Sequence, residues 1–304
     1  MQQSGRLVFL VGANASGKSD LAVRLATRFS GEVISADSRQ VFRRLNLGTG
    51  KLSREDMQGI PHHLIDIVEP GSEFNLFEYQ AAALATISEV FERRRQPIIV
   101  GGTGLYIDSL SEGYVLVPVG EDAELRRDLA KLDRSSLMDI VRVEQTEALP
   151  LLVRADERRL IRAIEIIRSG ISYAETRQRR KLYESLMIGL RWEKAELRTR
   201  IRQRLAQRFD AGMIDEVAEL RRSGVSDRFL FDLGLEYRFI LQFLDGRIKS
   251  PSELFNNLEI AIGQFARRQM TWFRRRKDIV WIDAGTNAAE LAAEHIRGYL
   301  GVSD

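Results

Sequence analysis

The sequence predicts an α/β fold in which a mainly parallel sheet carries helices on both faces and a smaller helical segment is inserted. Three observations predict it. Short apolar runs alternate with helical stretches, a glycine-rich loop joins the first run to the first helix, and the chain turns helical and polar from about Glu121 to Arg180. With 44% hydrophobic and 29% charged residues, the 304-residue chain can bury a sizeable core and keep a polar surface.

Taken in order, Arg6–Val11 reads as a short buried strand, and a helix starts near Lys18. Val33–Ala36 is a second strand, ending at Asp37-Ser38. An amphipathic helix covers Phe77–Arg95 until Pro97 breaks it. Ile98–Val100 is the next buried strand, and Gly101-Gly102-Thr103-Gly104 turns the chain into another helix. After the polar helical stretch, with Gly170 as a stop, Leu186–Leu190 returns as a strand. Helices over Lys194–Arg222, Leu235–Leu244 and Ser252–Arg276 follow, and Ile279–Ile282 is a last strand. His62 and His63 after Pro61 read as a structural turn, not a metal pair.

There are no cysteines, which excludes disulfides, thiolate zinc and cysteine nucleophiles. No targeting or membrane-spanning signal is visible, so the expected location is the cytoplasm. Charge is uneven. Residues 1–112 hold 12 basic and 13 acidic side chains, residues 154–208 hold 16 and 7, and residues 267–277 add six basic groups and no acidic one. Such a distribution points to a polyanionic partner or to a solvated arginine-rich helical face.

Gly12-Ala13-Asn14-Ala15-Ser16-Gly17-Lys18-Ser19 satisfies the phosphate-loop pattern G-x-x-x-x-G-K-[ST], with a strand before it and a helix after it. Glycines let backbone N–H groups close around phosphate oxygens, and a helix N-terminus adds positive potential. Lys18 supplies a point charge, and the Ser19 hydroxyl suits Mg²⁺. The loop alone leaves an ATP-dependent kinase open. The strand Ile98–Val100, however, ends in Gly-Gly-Thr rather than an acidic magnesium ligand. Asp66 remains as a strand or loop carboxylate. Asp37, at the carboxyl end of its strand, belongs near the loop, either as a proton acceptor or as a cap for the next helix.

The ordered set Gly12–Ser19, Asp37–Phe42, Leu47–Lys51, Pro61–Asp66, Gly101–Tyr106, Asp156–Glu165, Arg200–Val217 and Arg267–Phe273 resembles the tRNA dimethylallyltransferases (tRNA isopentenyltransferases) over almost the full length. The resemblance implies a P-loop NTPase-like core in residues 1–115 and 183–304 and a helical insertion contacting tRNA at 116–182. It implies transfer of a dimethylallyl group from dimethylallyl diphosphate to the exocyclic amine of the adenine just 3′ of the anticodon, by a monomer that needs Mg²⁺. Gly12, Ala13, Asn14, Ala15, Ser16, Gly17, Lys18 and Ser19 would bind diphosphate, with Ser19 on the metal. Asp37 would take the amine proton, with Thr103 at the substrate and Arg200 at the diphosphate. By themselves Thr103 could be a helix cap and Arg200 a solvated arginine. Asp37, Ser38, Arg39, Gln40, Thr103, Arg126, Arg158, Arg159, Leu160, Ile161, Arg162, Tyr237 and Arg238 match positions that contact the tRNA anticodon stem-loop. Phe42, Gly50, Arg158 and Leu235-Glu236-Tyr237-Arg238 depart from the family's usual residues, as does the shortness of the helical segment.

Overall fold

The computed structural model describes residues 5–285 and 287–302. Its strands β1 (Arg6–Gly12), β2 (Gly31–Ser35), β3 (His62–His63), β4 (Gln96–Gly101), β5 (Glu184–Arg191) and β6 (Ile279–Asp283) form one parallel sheet in the order β3-β2-β4-β1-β5-β6. The central strand β1 alternates its side chains with period two between two cores. Val8 and Leu10 meet Leu21 and Leu25 of the helix Lys18–Arg28 and Ala292 and Ile296 of the helix Ala288–Leu300. Leu7, Phe9 and Val11 meet Tyr79, Ile87 and Ile107 of the helices Leu76–Glu92 and Gly104–Ser111. A third cluster joins the helices Lys194–Asp210, Met213–Arg222, Leu235–Leu244 and Pro251–Phe273 to Val41, Phe42 and Leu45.

The chain divides into two compact units. One runs to Ser111 and resumes at Tyr183, and the other is Glu112–Leu182. The second unit gathers the helices Ala123–Leu129, Arg134–Glu144 and Glu157–Arg168 around Leu137, Val141, Leu160 and Ile164. Among the described residues, no helix is long and apolar enough to cross a membrane.

Several sequence expectations need correction. The helix Leu76–Glu92 ends short of Arg95, because Arg94 takes a left-handed backbone, and Pro97 lies inside β4 instead of ending the helix. His62 and His63 are an edge strand paired with Val33 and Ile34, not a turn, and the His63 Nε2 lies 2.7 Å from Glu32 Oε2. The stretch Lys194–Arg222 is two helices, broken where Gly212 adopts φ +91°. The helices Asp227–Asp232 and Ala288–Leu300 are additions to the elements expected from sequence.

Candidate active site

Parallel strands in register carry their loops to one edge of the sheet, at the carboxyl ends where open α/β sheets bind ligands. Val11 pairs with Gly101 and Ser35 with Val100, so the loops after β1, β2 and β4 meet there. Their approach is close enough to require Gly101, where any Cβ would overlap the Ala36 carbonyl. Asn14, Ala15, Lys18, Ser19, Asp37, Arg39, Gln40, Thr49, Gly50, Gly102, Arg204 and Arg208 line one narrow cavity of about 60 Å³. In that lining four cations face a single carboxylate, Asp37. The excess charge suits a polyanionic ligand.

The loop Gly12–Ser19 is held from three sides. Gln269, buried on the helix Pro251–Phe273, accepts from the Asn14 N–H at 2.8 Å and donates to the Gly102 carbonyl at 3.0 Å, tying the first loop to the third. Trp192 Nε1 donates to the Ser16 carbonyl at 3.0 Å. Arg200 Nε donates to the Ala15 carbonyl at 3.0 Å, with its guanidinium 4.5 Å from the centre of the Trp192 ring. Arg200 therefore sits on the loop and is not a solvated arginine.

Lys18 Nζ donates to the Ala13 carbonyl at 2.6 Å. Burial, and then the nearby Arg204 charge, lower its ammonium to about 8 against the opposing pull of Asp37. Arg204 is itself shifted down, by burial first and then by Arg208 and Arg200, outweighing Asp20. Arg200, Arg204 and Arg208 recur every fourth residue on one helix and so share a face.

Asp37 Oδ1 accepts from the backbone N–H groups of Arg39 at 2.9 Å and Gln40 at 3.4 Å, capping a turn and not a helix. Thr103 accepts from the Ser38 N–H at 3.1 Å through Oγ1, so its hydroxyl fixes the segment beside Asp37. Gln40 donates to the Thr49 carbonyl at 3.4 Å. Glu216 accepts from the successive N–H groups of Asn46, Leu47 and Gly48 at 2.7–3.0 Å and fastens the neighbouring wall. Asp66 lies in a loop with a left-handed backbone and accepts from Lys51 Nζ at 2.5 Å, outside the cavity lining.

Not every residue matched to RNA contact can make one. Tyr237 is fully buried and donates to Glu216 at 3.2 Å, so it is a core residue. Leu160 is likewise fully buried, in the core of the second unit. Arg126 makes a two-pronged bond to the buried Glu165 at 2.7 and 2.9 Å, and Arg162 reaches the same carboxylate at 3.0 Å. Burial alone would raise the Glu165 pKa, but the bonds from Arg126 and Arg162 lower it overall. These two arginines balance a buried charge. Arg158 and Arg159 are exposed, Ile161 is half-buried, and Arg238 stacks on Phe231 at 4.4 Å.

Fold and loop together define the class, a parallel α/β protein with a P-loop NTPase-like fold. A family model for IPP transferase matches residues 40–276, and one for isopentenyl transferase matches residues 5–71. The chain belongs to this family. It is 42% identical over 300 residues, 97% of this chain and 98% of the relative, to tRNA dimethylallyltransferase 2 of Trichlorobacter lovleyi. It is 43% identical to tRNA dimethylallyltransferase 2 of Syntrophotalea carbinolica, over 91% of this chain and 94% of that one. The tRNA isopentenylpyrophosphate transferase of Bacillus halodurans superposes with a TM-score of 0.73 at 32% identity, over 98% of this chain and 96% of that one. A eukaryotic dimethylallyltransferase acting on tRNA shares the fold, with a TM-score of 0.82 at 22% identity over 98% and 80% of the two chains.

Proposed function

We propose that this protein transfers a dimethylallyl group from dimethylallyl diphosphate to the exocyclic N6 amine of the adenine 3′-adjacent to the anticodon of tRNA, releasing diphosphate. The observation that carries the reading is the placement of one carboxylate, Asp37, in the same cavity as the phosphate loop and its cations. The strand next to β1, β4, runs into Gly101-Gly102 with no acidic side chain at its end, which disfavours an ATP-dependent kinase.

The N6 lone pair attacks the allylic carbon, the carbon–oxygen bond breaks, and its electrons pass to the diphosphate. Lys18, the loop amides and Arg200 stabilise the charge that develops on the oxygens. Nitrogen becomes cationic as the bond forms, and Asp37 takes its proton. Thr103 keeps the Asp37–Ser38 turn in place. Among the described residues, no cluster of three His, Cys, Asp or Glu side chains could cage a metal. Mg²⁺ would instead be held by the Ser19 hydroxyl and the substrate's own phosphate oxygens, an all-oxygen set that suits it. When bound, it neutralises charge on the leaving group.

The target base must leave its stack to reach Asp37, and exposed cations of the second unit grip the RNA backbone. The chain would work as a monomer in the cytoplasm. With tRNA, dimethylallyl diphosphate and Mg²⁺, diphosphate release should match isoprenoid incorporated into RNA. No incorporation, with ATP consumed in a parallel assay that supplies it, would overturn the reading. Replacing Arg158 and Arg159 by Gln should weaken tRNA binding and lower its salt slope by about one for each phosphate deprived of its cation. Arg162→Gln should leave the slope unchanged and destabilise the second unit, because it uncovers Glu165.

A further inference from the structure

Arg208 has a setting that the phosphate loop does not explain. It lies one turn beyond Arg204, lines the cavity, and is only 20% exposed. Its Nη1 donates to Glu236 Oε1 at 3.1 Å, and the other oxygen of that carboxylate accepts from Arg39 Nη1 at 2.8 Å. Glu236 is 1% exposed, so a charge has been taken out of water to serve two guanidiniums, both of which line the cavity. Burying a carboxylate is costly unless it is paired, and these arginines pair it.

One acid shared by two arginines leaves donors unspent. A guanidinium offers five N–H groups in a planar fork, and among the described residues Arg208 spends one of its nitrogens, Nη1, on the protein. Its Nη2 lies over Gly50, where any Cβ would overlap it. Gly50 has φ +63°, a backbone that glycine adopts without strain, and it too lines the cavity. The absent side chain is the space in which the Arg208 fork sits.

We infer that Arg208 is a further diphosphate-binding residue, held toward the leaving group by the positioning residue Glu236 and admitted by Gly50. The inference rests on reading the cavity as the diphosphate site. Arg208 adds a third guanidinium to the helix face of Arg200 and Arg204, and its planar fork suits two-pronged contact with phosphate oxygens. Its role is to tighten the hold on the donor and on released diphosphate.

The test is calorimetric titration of inorganic diphosphate with Mg²⁺ into the whole protein and its variants, with melting temperatures recorded alongside. Arg208→Met keeps a straight-chain helix former at the position and should weaken diphosphate binding roughly 10- to 100-fold, the scale of a lost charged hydrogen bond. Glu236→Gln should weaken it in the same direction. In the Arg208→Met background Gly50→Ala should not weaken it further, since it acts through Arg208, and Glu236→Gln should have a smaller effect than in the unaltered protein, confined to its second partner Arg39. A role confined to stability would lower the melting temperature and leave diphosphate affinity alone. Normal affinity in Arg208→Met, or an equal effect of Gly50→Ala in both backgrounds, overturns the inference while the diphosphate reading stands. No binding of diphosphate by the unaltered protein overturns both.

Discussion

Asp37→Asn should lower kcat by roughly 10²–10⁴, the range for loss of a positioned proton acceptor, while tRNA affinity barely changes. The substitution is well suited to separating chemistry from structure. Asp37 Oδ1 accepts from the Arg39 and Gln40 N–H groups, and the Asn carbonyl oxygen can accept both bonds. The turn, the Ser38–Thr103 contact and the approach of Gly101 to Ala36 therefore survive. The variant lacks only a group able to take a proton from nitrogen. Pre-steady-state turnover with saturating tRNA checks this, and unaltered turnover would remove Asp37 from the reaction.

Lys18→Met should lower kcat/KM for the donor by roughly 10²–10³, the scale of removing one group that stabilises developing negative charge. The Lys18 ammonium is lowered to about 8 by burial and by Arg204, which adds a pH signature. Diphosphate should bind the protonated form, so affinity should be full below that value and decline as pH rises through it. The limiting decline is about tenfold per unit if only the protonated form binds. A terminal phosphate loses its last proton near about pH 6, so the donor's charge is constant across this window. Binding the anion holds the proton in place, so the decline should show in kcat/KM, which reports the free enzyme, before it shows in kcat. Lys18→Met should lack the decline near 8. A profile with the same fall in the variant would assign it to another group.

Much of this site is legible from local pattern. The apolar run Arg6–Val11, the glycines of Gly12–Ser19 and the second strand leading to Asp37 are neighbours in sequence, and parallel-sheet geometry places their ends together. What closes the site is not local. Gln269 ties Asn14 to Gly102 across 255 residues, and no spacing rule signals that contact. The helix Lys194–Asp210 holds Arg198, Arg200, Arg202, Arg204 and Arg208. Its fourfold spacing separates two sets, yet only the fold shows that Arg198 and Arg202 turn to Glu259 while the others turn to the loop and its cavity.

Motif matching also carries two residues too far. Leu160, Ala163 and Ile164, like Tyr237, Ile240 and Leu241, follow the i, i+3, i+4 spacing of a buried helical face. Periodicity alone assigns Leu160 and Tyr237 to the core. The arginines beside them divide by counter-charge. Arg126 and Arg162 are taken by Glu165, whereas Arg158 and Arg159 stay exposed. Hydrophobic pattern speaks to burial. Only the fold reveals which cation is already spent.

The decisive measurement is mass spectrometry of nucleosides from unmodified tRNA after incubation with the protein, dimethylallyl diphosphate and Mg²⁺. One dimethylallyl group should appear on N6 of the adenosine 3′ of the anticodon, and should be absent when Asp37→Asn replaces the protein over the same short interval. Unmodified adenosine at that position, with ATP consumed when it is supplied instead, would contradict it.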